Sequence, residues 1–176
     1  IYAFCCDYLR RALQDNRIIN EMGGRPLFGL FDFDEAYNEW NYLNQKDSWA
    51  LQCDDPYLGL RTENAAEKVH AFIIPVPRIA KVEAQVMKTP GSKEHFAHQA
   101  IMGIEHLFYS DHTARYFEAR QLPGGGEIVT FSGNKTKFAR EVVPTLDAAT
   151  FEVFRPMFEF IKSKCPAPAE AAVALV

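Results

Sequence analysis

A run of apolar residues that ends in closely spaced carboxylates, Leu27-Phe28-Gly29-Leu30-Phe31-Asp32-Phe33-Asp34-Glu35-Ala36, constrains this chain more than any other stretch. A short, nearly continuous apolar run reads as a strand in a sheet covered on both faces. Side chains alternate along a strand, so Asp32 and Asp34 share one face while Phe31 and Phe33 share the other. Two carboxylates at the C-terminal end of a buried strand repel each other and lose hydration. A bound divalent cation removes both penalties. Asp32 and Asp34 are therefore candidate magnesium ligands. A plainer role stands beside this one for Asp34, as the cap of a helix beginning near Glu35.

The remaining pattern predicts a single α/β domain over 1–165, with a small parallel sheet flanked by helices and a helical C-terminal part. Residues 1–22 read as a helix, with Ile1, Phe4, Cys5, Tyr8, Leu9, Ala12 and Leu13 on one face and Gly23-Gly24 as its stop. The strand over 26–33 is followed by a helix from Glu35 to about Asn44 that buries Trp40 and Leu43. Residues 45–66 are polar and read as an irregular excursion. Val69–Ile74 is a second buried strand, closed by Pro75-Val76-Pro77. A helix is expected near Ile79–Met87, then a loop at Thr89–Ser92 and apolar residues at mixed spacing over 94–109. Pro123-Gly124-Gly125-Gly126 is a turn before a short strand, Glu127–Phe131. Lys135–Val143 reads as a helix that stops at Pro144, and Asp147–Lys164 as a helical region that Pro156 either kinks or restarts. Phe151, Phe154, Phe158 and Ile161 form an apolar stripe on it, read as core. Residues 166–176 are an Ala/Pro-rich tail, expected to be flexible.

Composition narrows the function. The net charge is −4, so no overall basic field attracts nucleic acid, and any such contact needs a local patch, a metal ion or a partner. Cys5 and Cys6 are adjacent, Cys53 and Cys165 stand alone, and no Cys-x-x-Cys pair exists, which reads as ordinary thiols in a reducing compartment. There is no apolar run of transmembrane length and no signal peptide, so a cytoplasmic location without membrane contact is expected. The chain opens on Ile1 inside a helical pattern, as a fragment of a longer protein would.

Two further features follow the Asp pair. Ile104-Glu105 places a carboxylate inside an apolar stretch, and Lys135 opens Lys135-Thr136-Lys137-Phe138-Ala139 after a glycine turn. From about Pro26 to Lys164, this ordered series resembles the TOPRIM nuclease domain, most closely that of the overcoming-lysogenization-defect (OLD) family and related ATPase-linked defence proteins. The resemblance implies that Asp32 and Asp34 hold Mg2+ or Mn2+, that Glu105 completes the metal site, and that Lys135 stabilises charge on a phosphate in the transition state. It implies a metal-dependent endonuclease acting on nucleic acid, DNA foremost, in anti-phage defence and beside an ATPase domain or subunit. The first TOPRIM strand, with its glutamate, has no counterpart here: Asp7 resembles a residue near that glutamate, but the position four earlier is Ala3. The missing strand is expected upstream of this chain.

Other readings compete. Glu105 can pair with a nearby Lys or Arg, Lys137 competes with Lys135, and Glu35 suits an exposed helix N-terminus. Lys135 is preferred because Phe138 and Ala139 are expected to face the core. His95 and His98, with His106 and His112 near them, have a weak zinc-like spacing without cysteines. Gly124-Gly125-Gly126 reads as a hairpin turn, not a phosphate loop. A degenerate TOPRIM-like module that assembles with an ATPase partner is the second function. A phosphatase with Asp32 as nucleophile ranks third, since the next strand ends in Pro75 instead of Ser or Thr.

Overall fold

A computed structural model describes residues 6–122 and 125–165. The start of the first predicted helix, Pro123-Gly124 of the glycine turn and the 166–176 tail lie outside the described residues. The architecture is mixed α/β. Helices α1 (Cys6–Gln14) and α2 (Asn16–Glu21) replace the single helix expected over 1–22. The break falls at Asp15, whose carboxylate accepts the Arg17 N–H at 2.8 Å and so starts a new helix.

The main sheet has four strands in the order β1-β4-β3-β2: β1 (Leu27–Phe31), β2 (Trp49–Cys53), β3 (Arg61–Asn64) and β4 (Val69–Ile73). β1 and β4 run parallel, with Leu27 beside Val69 and Phe31 beside Ile73. β3 lies antiparallel to both β4 and β2. The sheet is therefore mixed, and the 45–66 excursion is a correction: two of the four strands come from it. Its strands hid behind polar residues, some bonded and some, such as Arg61 Nε and Glu63 Oε2, buried without a hydrogen-bond partner among the described residues. The fully buried Thr62 hydroxyl donates to Ala50 O at 2.9 Å, and Glu63 lies 2.9 Å from the fully buried His70.

Helix α3 (Tyr37–Asn44) and α1 cover one face of this sheet. Leu13, Trp40 and Leu43 pack there with Phe31, Ala71 and Ile73, and the Trp40 indole N–H donates to Ala71 O at 3.0 Å. Full burial of each large apolar side chain contributes about 1.5–3 kcal/mol. The other face carries Phe28, His70 and Phe72 under the last helix. Phe160 meets the rings of His70 and Phe72 at 5.1 and 5.7 Å, and the Arg61 guanidinium lies 3.8 Å from its centroid. This cover is thinner. Leu30 is 39% exposed, so β1 is an edge strand and not the doubly buried one its composition suggests.

Helix α4 (Ala80–Glu83) is shorter than expected, and residues 94–109 hold 3-10 turns, including Ile104–Phe108, and isolated bridge positions at His95 and Met102. β5 (Phe117–Gln121) and β6 (Glu127–Phe131) form an antiparallel hairpin. Helix α5 (Lys135–Lys137) runs into a π-helical turn over Phe138–Val142. A 3-10 stretch, Ala148–Phe154, precedes α6 (Arg155–Lys164), and Pro156 lies in the first turn of α6, where its missing N–H leaves no bond unmade. Phe154 of the Phe stripe is buried, but Phe158 is 56% exposed, so the stripe is only partly core. Among the described residues, no helix is long and apolar enough to cross a membrane.

Candidate functional site

Asp32 immediately follows β1, on the face that α6 covers farther down the sheet. What lies over it comes from far along the chain. Phe33 and Met102, both fully buried, exchange backbone hydrogen bonds of 2.8 and 3.0 Å and fix Gly103, Ile104 and Glu105 beside the strand end. The Ile104 N–H then donates to Asp32 Oδ1 at 3.0 Å, across 72 positions of sequence.

Gly103 makes this approach possible. A β-carbon there would sit 3.0 Å from Glu105 Oε2 and 3.4 Å from Asp32 Oδ2, so both carboxylates overhang a position occupied only by hydrogen. Glu105 is 8% exposed, and its Oε1 lies 3.0 Å from the Lys135 ammonium. Lys135 is the first residue of α5, whose start is set by Asn134 accepting the Lys137 N–H at 2.9 Å. Lys137 turns elsewhere, toward Glu141 at 3.8 Å. The reason given for preferring Lys135 holds only in part: Phe138 is buried, but Ala139 is exposed.

Asp34 stands apart. Its Oδ1 accepts the Ala36 N–H at 2.8 Å, in an Asx turn that leads into α3. One oxygen of Asp34 therefore serves that turn, and the expected capping role is a correction: the cap position of α3 is Ala36, which makes no side-chain cap bond. The Asp34 charge still acts on the site. Burial pushes the Asp32 carboxyl up to about 6 from the ordinary 3.8, and the Asp34 and Glu105 charges add to that push. The Ile104 N–H and Lys135 oppose it. Burial works against the Lys135 ammonium, but Glu105, with Asp32 and Asp34, holds its pKa above the usual lysine value.

Among the described residues, no group of three or more His, Cys, Asp or Glu side chains is arranged to hold a metal ion directly. The donor set still suits one kind of cation. Magnesium usually keeps several waters and takes only one or two carboxylates, the rest coming from substrate phosphate. Asp32 and Glu105 over Gly103 match that demand in number and in hard oxygen chemistry. The histidines do not form a site. His95 accepts the Ala97 N–H and packs on Phe33 and Tyr37, His98 and His112 are exposed, and His106 bonds to backbone. Glu35 is exposed ahead of α3. Asp7 is engaged on α1 with Arg10 and Arg11, and Ala3 lies outside the described residues.

Sequence reasoning missed Gly103 and the Ile104 amide. Their only signal was their position directly before Glu105. No protein-family model, curated protein or solved structure matches this chain.

Proposed function

We propose that Asp32, Glu105 and Lys135, with Asp34 beside them, form a divalent-cation-dependent centre that hydrolyses phosphodiester bonds in nucleic acid, DNA foremost, within a TOPRIM-like domain of the OLD type. The observation that carries this reading is the close approach of a buried carboxyl, a second carboxylate and a lysine over a glycine. A magnesium or manganese ion held there would supply charge neutralisation and a water of lowered pKa. The chain's own residues do the rest. Asp32 and Glu105 offer hard oxygens, the Ile104 N–H orients the Asp32 carboxylate, and the Lys135 ammonium stands where negative charge builds on a phosphoryl group. An ATPase partner and a role in anti-phage defence belong to the same reading.

The test is manganese calorimetry with plasmid cleavage. Saturable binding and metal-dependent cleavage, both lost in Asp32→Asn and Glu105→Gln, are expected. Cleavage that persists in EDTA, or in both variants, would sink the proposal.

One observation favours a second reading, a non-catalytic assembly module. Glu105 is already neutralised by Lys135, which leaves fewer free charges for a cation. In that case manganese does not bind, and an ATPase partner docks without cleavage.

A further inference from the structure

Two buried polar side chains next to the carboxylates have no role in the reading above. Gln85 is 6% exposed and His106 is 4% exposed. Buried polar groups are retained where their hydrogen bonds are made, and these two divide theirs between Val129 on β6 and the turn Ile101–Gly103.

Gln85 Nε2 donates to Ile101 O and, at 3.2 Å, to Val129 O, while its Oε1 accepts the Val129 N–H at 2.9 Å. His106 Nδ1 accepts the Gly103 N–H at 3.1 Å, and the ring's other nitrogen, Nε2, lies 2.9 Å from Val129 O. That pattern requires the tautomer protonated at Nε2. Val129 faces Ala119 across the hairpin, yet its own N–H and C=O turn outward to these two side chains. A third strand would normally take those groups. Here Gln85 and His106 take them and tie the edge of β6 to the turn that carries Glu105.

The segment is thereby held at three consecutive points. Gln85 holds Ile101, the Phe33 backbone holds Met102, and His106 holds Gly103. Ile104 and Glu105, the two residues that touch Asp32 and Lys135, come next. We infer that His106 and Gln85 are positioning residues for the carboxylate centre, setting the Ile104 amide and the Glu105 carboxylate against Asp32 by fastening their turn to β6. The inference rests on that centre being the functional site, but the fastening itself is measurable without metal.

The experiment compares wild type, His106→Leu, His106→Gln and Gln85→Leu with Val69→Ala. Val69 is a fully buried core residue on β4, beside Leu27 at the end of the sheet remote from Asp32. Three quantities are read: Mn2+ affinity by calorimetry, the Asp32 titration midpoint by carbon NMR, and hydrogen exchange at the Ile104 amide. In His106→Leu and Gln85→Leu, affinity should fall by about 10- to 100-fold, as for other residues that orient metal ligands. The Asp32 midpoint should move and Ile104 exchange should accelerate. His106→Gln, which can still donate to Val129 O, should recover most of the affinity. Val69→Ala should lose stability and change none of the three. If the two Leu variants match Val69→Ala in all three readouts, the inference is overturned. If wild type binds no manganese, the metal reading fails, and the Ile104 exchange rate decides the positioning role.

Discussion

At the scale of single residues, Asp32 is the most perturbed carboxyl of the cluster. Its carboxyl is raised to about 6 because its charged form is both desolvated and crowded by Asp34 and Glu105. The folded chain therefore binds this proton more tightly than the unfolded chain, and stability is lost as pH rises from about 4 through 6. A shift of about two pKa units corresponds to roughly 3 kcal/mol as an upper figure. Asp32→Asn keeps an acceptor for the Ile104 N–H and removes the charge. It should raise stability to urea at pH 8 by about 1–3 kcal/mol and change little at pH 4. Equal effects at the two pH values would refute this account. Lys135 opposes the shift, so Lys135→Met should move the Asp32 midpoint higher still. The fold should lose stability as well, because Glu105, 8% exposed, is left without the Lys135 charge. The apolar run exposed Asp32 to sequence reading, and the glycine turn exposed Lys135. The Ile104 amide was not legible, because a backbone N–H becomes a ligand only when another segment is folded against it.

Among the elements, β3 differs most from its sequence expectation. Arg61-Thr62-Glu63-Asn64 has no apolar alternation, yet it sits between β2 and β4. Thr62 donates to Ala50 O, Glu63 lies beside His70 as a charge neighbour, and Arg61 lies over the Phe160 ring, while Arg61 Nε, Glu63 Oε2 and both His70 ring nitrogens are buried without a hydrogen-bond partner among the described residues. Burial lowers the His70 pKa, against the raising effect of Glu63. The folded chain thus resists protonation of His70, and stability is lost as pH falls below the ordinary histidine value of 6.5. This slope runs opposite to that of Asp32 and is best read in an Asp32→Asn background. Replacing the pair together, by Glu63→Leu with His70→Phe, should flatten the acid-side loss seen by thermal unfolding between pH 7 and 5. Replacing His70 alone should destabilise, because Glu63 is left buried without its partner. An unchanged slope in the double variant would assign the pH dependence elsewhere.

Taken as one body, the molecule joins a mixed sheet to a hairpin, and the carboxylate cluster lies where the two meet. A net charge of −4 gives no general attraction to a polyanion. If the centre acts on nucleic acid, DNA binding should be barely detectable in EDTA and should appear with manganese. The slope of log affinity against log salt should correspond to only about two or three phosphate contacts. Fluorescence anisotropy of a labelled duplex would measure this. Tight, metal-independent binding with a steep salt slope would point to a basic surface that the composition does not suggest.

The sequence by itself determined the segments whose signals are local. β1 and β4 follow from apolar runs bounded by breakers and α3 from its apolar positions, while a break at Pro156 was legible but not whether it kinks or restarts the helix. It also singled out Asp32, Asp34, Glu105 and Lys135 as residues worth placing. Only the tertiary structure decided the strand order, the presence of β2 and β3, and the company each carboxylate keeps. Pairing between distant segments depends on backbone hydrogen bonds and on a space the width of a glycine, and neither leaves a periodic trace in the chain. The Phe33–Met102 bridge decides that Glu105 faces Asp32, while a 2.8 Å hydrogen bond to Ala36 decides that one oxygen of Asp34 serves the turn.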